Sequence, residues 1–144
     1  MLRLRCTEFV TDKISIIVSE MKIIYESIQD DSKSTAGDKH ETGRAMAHLE
    51  LEKLGVSLAA VNKMNDALLP ISYNEISAKI SVGSVVITNF GNYYIAISAG
   101  KYAYQNKEYY MVSPASPIGA ALLNVGNANE FSFHGKVHLI EKVF

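Results

Sequence analysis

The chain has 144 residues, enough for one ordinary domain or two small modules. Lys and Arg number 14 and Asp and Glu 15, so the net charge at pH 7 is −1. This balance argues against a protein that coats nucleic acid or an anionic membrane through bulk charge. Hydrophobic residues make up 48% and charged residues 20%, which is a globular rather than a disordered composition.

The single cysteine, Cys6, excludes an internal disulfide and a cysteine-rich zinc site. The first residues lack the apolar run of a signal peptide. No stretch reaches the roughly 18–20 uncharged apolar residues of a membrane span. We therefore expect a cytoplasmic protein with no membrane partner.

The composition changes near Pro70. Residues 1–69 hold 9 Lys or Arg and 11 Asp or Glu, whereas residues 70–144 hold 5 and 4. All three prolines and 11 of the 13 aromatic residues lie in the second part. The shift predicts an α+β fold with a helical module over residues 1–69 and a β-rich module over residues 70–144.

Apolar residues of the first module recur at alternating spacings of four and three, the pattern of a coiled-coil seam. The first seam comprises Val10, Ile14, Ile17, Met21, Ile24 and Ile28, and the second comprises Ala47, Leu51, Leu54, Leu58, Val61 and Leu68. Capping and helix-breaking residues separate them. We predict an antiparallel helical hairpin with its tip near residues 30–41 and arms of about 27–29 residues, roughly 40 Å long.

The second module changes to the patterns of strands and turns. Five antiparallel strands are predicted, over residues 84–88, 93–97, 108–112, 130–133 and 136–140. His134-Gly135 would form the turn between the last two strands. Ser116 and Pro117 have the types preferred at the N-cap and first position of a helix, which predicts one short helix there.

Polar chemistry concentrates at the predicted hairpin tip, where Asp38 and Glu41 lie three residues apart at the start of a helix. One interpretation is a capping box, in which Asp38 accepts from backbone N–H groups and Glu41 reaches back. The other is a carboxylate pair that helps to hold Mg²⁺, a cation commonly bound by one or two carboxylates plus water or phosphate. Spacing alone favours the capping box.

Other candidate residues carry weaker patterns. His40 lies between the two acids, but the set lacks a fourth ligand for zinc. His134 and His138 are expected to be solvated surface histidines, and Cys6 lacks the histidine partner of a catalytic thiol. Six tyrosines could stack on bases, although packing within the sheet is the favoured interpretation. They are Tyr93, Tyr94, Tyr102, Tyr104, Tyr109 and Tyr110.

The order of these features resembles the GreA/GreB transcript cleavage factors of bacterial RNA polymerase. The features are a helical hairpin, Gly37-Asp38-x-x-Glu41 at its tip, and a β-rich module containing Ser116-Pro117-x-Gly119-x-Ala121-Leu122-Leu123. The similarity covers nearly the whole chain. It implies an FKBP-like second module and matches Asp38 and Glu41 to the acidic pair of the family.

The resemblance implies a transcription elongation factor that is not itself an enzyme. The β-rich module would bind RNA polymerase, and the coiled coil would carry Asp38 and Glu41 to the polymerase active site. There the carboxylates would help to hold a second Mg²⁺ shared with the polymerase, so that the polymerase cuts backtracked RNA. No cofactor would be held stably by the isolated protein, and contact with nascent RNA would be indirect.

The tip departs from the family at Lys39, Thr42 and Arg44. Arg44 would place positive charge within one helical turn of Glu41. Two alternatives to the cleavage factor therefore stay open. One is a non-cleaving secondary-channel regulator of RNA polymerase. The other is a protein-interaction module in which the hairpin is structural and Asp38 only caps a helix.

Overall fold

The computed structural model describes residues 1–32, 38–72 and 77–144, without the side chains of residues 32 and 38–40. The helices are α1 (Leu2–Ser32), α2 (Asp38–Leu68) and α3 (Pro117–Leu123). The strands are β1 (Val85–Thr88), β2 (Asn92–Ile95), β3 (Gly100–Tyr104), β4 (Lys107–Val112), β5 (Glu130–Phe133) and β6 (Lys136–Val143). The predicted α+β class is confirmed. Within these described ranges, no helix combines the length and the apolar character needed to cross a bilayer.

The chain forms two compact units. We name residues 10–65 the helical unit, and Met1–Phe9 together with Asp66–Phe144 the sheet unit. The predicted division falls between residues 69 and 70. The observed one differs because the start of α1 has its contacts in the sheet unit. Cys6 Sγ lies 3.4 Å from Met111 Sδ, a separation of 105 residues along the chain.

The helical unit is built on the two predicted seams. All seam residues from Val10 to Val61 are buried or half-buried, and α1 and α2 pack together. Only residues 33–37 separate the two helices, and so short a connection between packed helices makes them antiparallel. The predicted helical hairpin is therefore confirmed. Of the predicted tip near residues 30–41, residues 30–32 and 38–41 are helical, and residues 33–37 lie outside the described residues.

The sheet has six strands in the order β3-β4-β2-β1-β6-β5. The prediction of a purely antiparallel sheet is wrong at one pair, because β2 and β4 are parallel, with Tyr94 opposite Met111. The strand β3, which pairs antiparallel with β4, was not predicted. After β2 the chain reverses and leaves a gap one strand wide, which β4 then fills.

Different helices pack against the two faces of the sheet. The α3 face carries Val86 and Ile95, which form a fully buried core with Leu122 of α3. The α1 face carries Tyr94 and its neighbour Met111, and the first turns of α1 lie against it within the sheet unit. On this face the guanidinium of Arg5 lies 4.6 Å from the centre of the Tyr102 ring. Burial of apolar surface on both faces holds the unit together.

The short helix α3 begins as predicted. Ser116 is its N-cap, Oγ accepts from the Gly119 N–H at 3.1 Å, and Pro117 occupies the first turn. The same Oγ donates to the Ser113 carbonyl oxygen at 2.7 Å. Gly119 is required here because a Cβ would overlap that carbonyl oxygen and would lie 2.9 Å from Ser116 Oγ.

The β5–β6 hairpin holds an aromatic cluster around His138. The predicted turn is confirmed, since His134 and Gly135 both have the positive φ of a type I′ turn. The prediction that His138 is a solvated surface residue is wrong, because its side chain is only 5% exposed. The imidazole centre lies 4.8 Å from the ring centres of both Phe90 and Phe131. His134 is exposed.

Truncation of the seam residue Leu54 to alanine should destabilise the protein by about 2–4 kcal/mol, because it leaves a cavity between packed helices. Leu49 provides a matched control on the same helix. Leu54 is 9% exposed and Leu49 is 57% exposed. Leu49→Ala should therefore change the free energy of unfolding by no more than about 0.5 kcal/mol. Urea denaturation followed by circular dichroism measures both values, and equal losses would contradict the observed seam.

Replacement of Gly119 by alanine should destabilise the protein by about 2 kcal/mol or more, because the added methyl group must displace the backbone of residue 113. Gly55 is a contrasting position inside α2, where an added Cβ meets nothing within 4 Å. Gly55→Ala should stabilise the protein by about 1 kcal/mol through helix propensity. Thermal unfolding of the two variants tests the difference in sign.

Acidification should destabilise the fold through His138. Burial, and then the charge of Lys136, lower the pKa of its imidazole. The unfolded chain therefore binds this proton more readily than the folded chain, and stability falls as the pH drops below about 6.5 toward the lowered folded pKa. In His138→Phe, the loss of unfolding free energy between pH 7.5 and pH 5 should be smaller than in the unchanged protein.

The exposed His48 supplies the control for this measurement. His48→Gln should leave the pH dependence of the unfolding free energy unchanged. A pH dependence that is the same in His138→Phe as in the unchanged protein would show that His138 does not contribute.

Candidate functional site

The acidic pair predicted at the hairpin tip falls at the N-terminal end of α2. Asp38 is the first residue of α2, and Glu41 is an exposed residue of its first turn. Positions three apart share one face of a helix. The N-terminal end also favours negative charge, since the backbone dipoles sum to a partial positive charge there. The structure thus places position 38 and the Glu41 side chain at the end of the hairpin where α2 begins.

The capping box and the metal pair make different demands on the Asp38 side chain, which lies outside the described residues, as does that of His40. Glu41 is described and is open to solvent. Among the described residues, no group of three or more His, Cys, Asp or Glu side chains converges as metal ligands would. Because Mg²⁺ keeps an octahedral shell and dehydrates reluctantly, an exposed pair of carboxylates binds it usefully only when another molecule supplies further ligands.

Arg44 lies one helical turn after Glu41 and is half-buried. Its Nε is buried and has no hydrogen-bond partner among the described residues. A buried donor without an acceptor costs free energy, so an acceptor that reached this atom would be bound favourably. Near Glu41, the cationic side chain of Arg44 can therefore donate a hydrogen bond to a carboxylate or phosphate oxygen.

Cys6 has the environment of a structural thiol. It is part of α1, which begins at Leu2. Burial raises the pKa of the thiol to about 11, so the reactive thiolate is scarce at neutral pH. The thiol donates to Met111 Sδ and fills space against the sheet.

A cleft of about 400 Å³ lies on the α1 face of the sheet unit and was not predicted. Its lining includes Arg3 of α1, Ile87 of β1, and three tyrosine rings, those of Tyr94, Tyr104 and Tyr109. The Arg3 guanidinium donates to the Leu68 carbonyl oxygen at 3.3 and 3.4 Å, which fixes it at the edge of the cleft. Alternation along each strand indicates which tyrosines share a face. The cleft also depends on the order of the strands, which brings these tyrosines together. No local sequence pattern predicts that order.

The tyrosines divide between the two faces as their strand positions require. Tyr102 is directly opposite Tyr109, and both belong to the α1 face. Tyr110 belongs to the α3 face, where its ring centre lies 5.9 Å from that of Tyr93. The alternation thus separates tyrosines that line the cleft from tyrosines that do not.

Comparison with known proteins adds no family to these observations. No model of a known protein family matches the sequence, and no curated protein matches it.

Proposed function

We propose that this protein is a Gre-like transcription elongation factor that binds RNA polymerase and stimulates cleavage of backtracked RNA. The observation that carries the proposal is the exposed Glu41 carboxylate in the first turn of α2, three residues after Asp38 in an antiparallel helical hairpin. The resemblance to the GreA/GreB family supports the same role for both acids. An FKBP-like character of the sheet unit belongs to this proposal.

The chemistry divides between the protein and the polymerase. The polymerase would hold the first Mg²⁺ and the RNA, while Asp38 and Glu41 would add ligands to a second, weakly held Mg²⁺. Two metal ions stabilise both the attacking and the leaving oxygen of an in-line displacement. The carboxylates would also orient the attacking water, so that cleavage is performed by the polymerase and this chain is not itself an enzyme.

The dimensions of the hairpin support this division. Both α1 and α2 contain 31 residues, and at 1.5 Å per residue each is about 46 Å long. Within the helical unit, residues 10–65, packing of the two helices along their seams would stiffen the pair. A stiff pair of helices can present the Glu41 carboxylate at its end.

Substitution of Asp38→Asn or Glu41→Gln should reduce stimulated cleavage at least about tenfold while leaving polymerase binding nearly unchanged, because each removes a ligand charge but keeps the shape. Asparagine is itself a good N-cap and glutamine serves in a capping box, so helix stability is preserved. RNA cleavage in a halted, backtracked complex of the cognate polymerase is the measurement. Glu52→Gln is the control, because Glu52 is an exposed acid farther along α2.

Unchanged cleavage in both tip variants would remove the acids from the mechanism. If the unchanged protein binds the polymerase but does not stimulate RNA cleavage, the non-cleaving secondary-channel regulator is favoured. Arg44 supports this second candidate, because its Nε–H, which has no acceptor among the described residues, could donate to an acidic group of the polymerase at the turn where the metal would otherwise be held.

A protein-interaction module is the candidate from a different class. It is supported by large apolar side chains on the outside of the hairpin, among them Ile23, 66% exposed, and Val56, 73% exposed. Exposed apolar surface of this kind is typical of contact with another protein when it is contiguous. Failure of the protein to associate with the polymerase, together with a dimeric mass in sedimentation equilibrium, would favour this candidate.

A further inference from the structure

We propose that the cleft on the α1 face binds a nucleotide, with the base against the tyrosine rings and the phosphate beside basic side chains at the edge. This binding site lies wholly within the sheet unit and does not depend on the acidic tip or on RNA polymerase. Its volume of about 400 Å³ falls in the range of small-molecule sites, roughly 300–1,000 Å³. A mostly apolar lining with a few fixed polar groups is also typical of such sites.

Three neighbouring tyrosines, Tyr102, Tyr104 and Tyr109, lie on the α1 face of the sheet. Tyr104 and Tyr109 line the cleft and are half-buried, so part of each ring is available. Tyr102 lies beside both, because it is opposite Tyr109 and its ring is stacked on that of Tyr104 at 6.5 Å and 17°. Arg5 lies over the Tyr102 ring, so Tyr104 and Tyr109 are the rings available to a base. Every nucleobase has a π face that can stack on such rings.

Basic side chains surround these rings on the same face. Arg3 lines the cleft itself. Lys107 is opposite Tyr104, and Lys142 is opposite Ile87. Directly paired residues of neighbouring strands share a face, so both lysines project beside residues that line the cleft. Aromatic rings bordered by cations are complementary to a base that carries a phosphate.

Two acidic residues near these rings, Glu8 and Glu108, form ion pairs with other side chains. Glu8 forms an ion pair with Arg5 at 2.7 Å. Glu108 lies on the opposite face and forms an ion pair with Lys101 at 2.8 Å. Arg3, Lys107 and Lys142 therefore place positive charge beside the cleft although the chain as a whole carries a net charge of −1. Binding that uses this local charge should weaken as salt rises, since each phosphate contact releases counterions.

Calorimetric titration of the full chain tests the proposal. The probes are the four ribonucleoside monophosphates and a ten-residue uridine RNA. We expect saturable binding of at least one probe, and Tyr109→Ala should weaken it about tenfold or more through lost stacking. Tyr110→Ala is the matched control on the same strand and should bind as the unchanged protein does, because Tyr110 faces the other side.

Two further variants separate loss of the site from loss of the fold. Tyr109→Phe keeps the stacking ring and should bind within about threefold of the unchanged protein. Lys142→Gln should weaken binding and lower its salt dependence, whereas Lys101→Gln on the opposite face should do neither. A weakening in Tyr109→Ala that Tyr109→Phe restores assigns the effect to the ring.

The two kinds of probe distinguish the source of the nucleotide. Equal affinity for a monophosphate and for the RNA would assign a free nucleotide to the cleft, and much tighter binding of the RNA would assign a single strand. The proposal is overturned if no probe binds at millimolar concentration, or if Tyr110→Ala and Lys101→Gln weaken binding as much as their counterparts on the α1 face.

Discussion

Burial of one apolar stripe along α1 is the constraint on which the rest of the structure depends. Cys6 and Val10 are both fully buried, although the first belongs to the sheet unit and the second to the helical unit. A single uninterrupted helix thus supplies side chains to two cores. Because helix propensity alone stabilises an isolated helix only weakly in water, this burial is what keeps all 31 residues of α1 helical.

Sequence reasoning succeeded where the information is local. The spacing of the seam residues identified both long helices, since helical periodicity is set by neighbouring turns. Ser116 and Pro117 identified the start of α3, and His134-Gly135 identified a hairpin turn, because both depend on a few adjacent residues. The role of Asp38 and Glu41, which was also predicted from spacing, stays a prediction.

The predictions that were wrong or missing concern features that depend on residues far apart in the sequence. In β3, Gly100, Lys101 and Ala103 interrupt the β-branched and aromatic run by which strands are recognised. The parallel pairing of β2 and β4 arises because β4 inserts between β3 and β2. No turn sequence predicts this insertion. His138 lies on a polar and apolar alternation that cannot reveal the Phe90 ring, 48 positions earlier in the chain, packing over it.

The two units place opposite charge at separate surfaces. The start of α2 carries Asp38 and Glu41, while the α1 face of the sheet carries Arg3, Lys107 and Lys142 beside tyrosines. A composition with nearly balanced charge therefore says little about the partners of either surface. Both proposals rest on a few side chains placed on the fold rather than on the fold itself.

The contact between Cys6 and Met111 also determines the order in which the chain can fold. Its residues are 105 positions apart, so this part of the sheet unit cannot form on the ribosome until most of the protein has been synthesised. The helical unit needs only residues 10–65 and can form first. Until β4 has been synthesised, Cys6 lacks the cover that Met111 gives it in the folded protein.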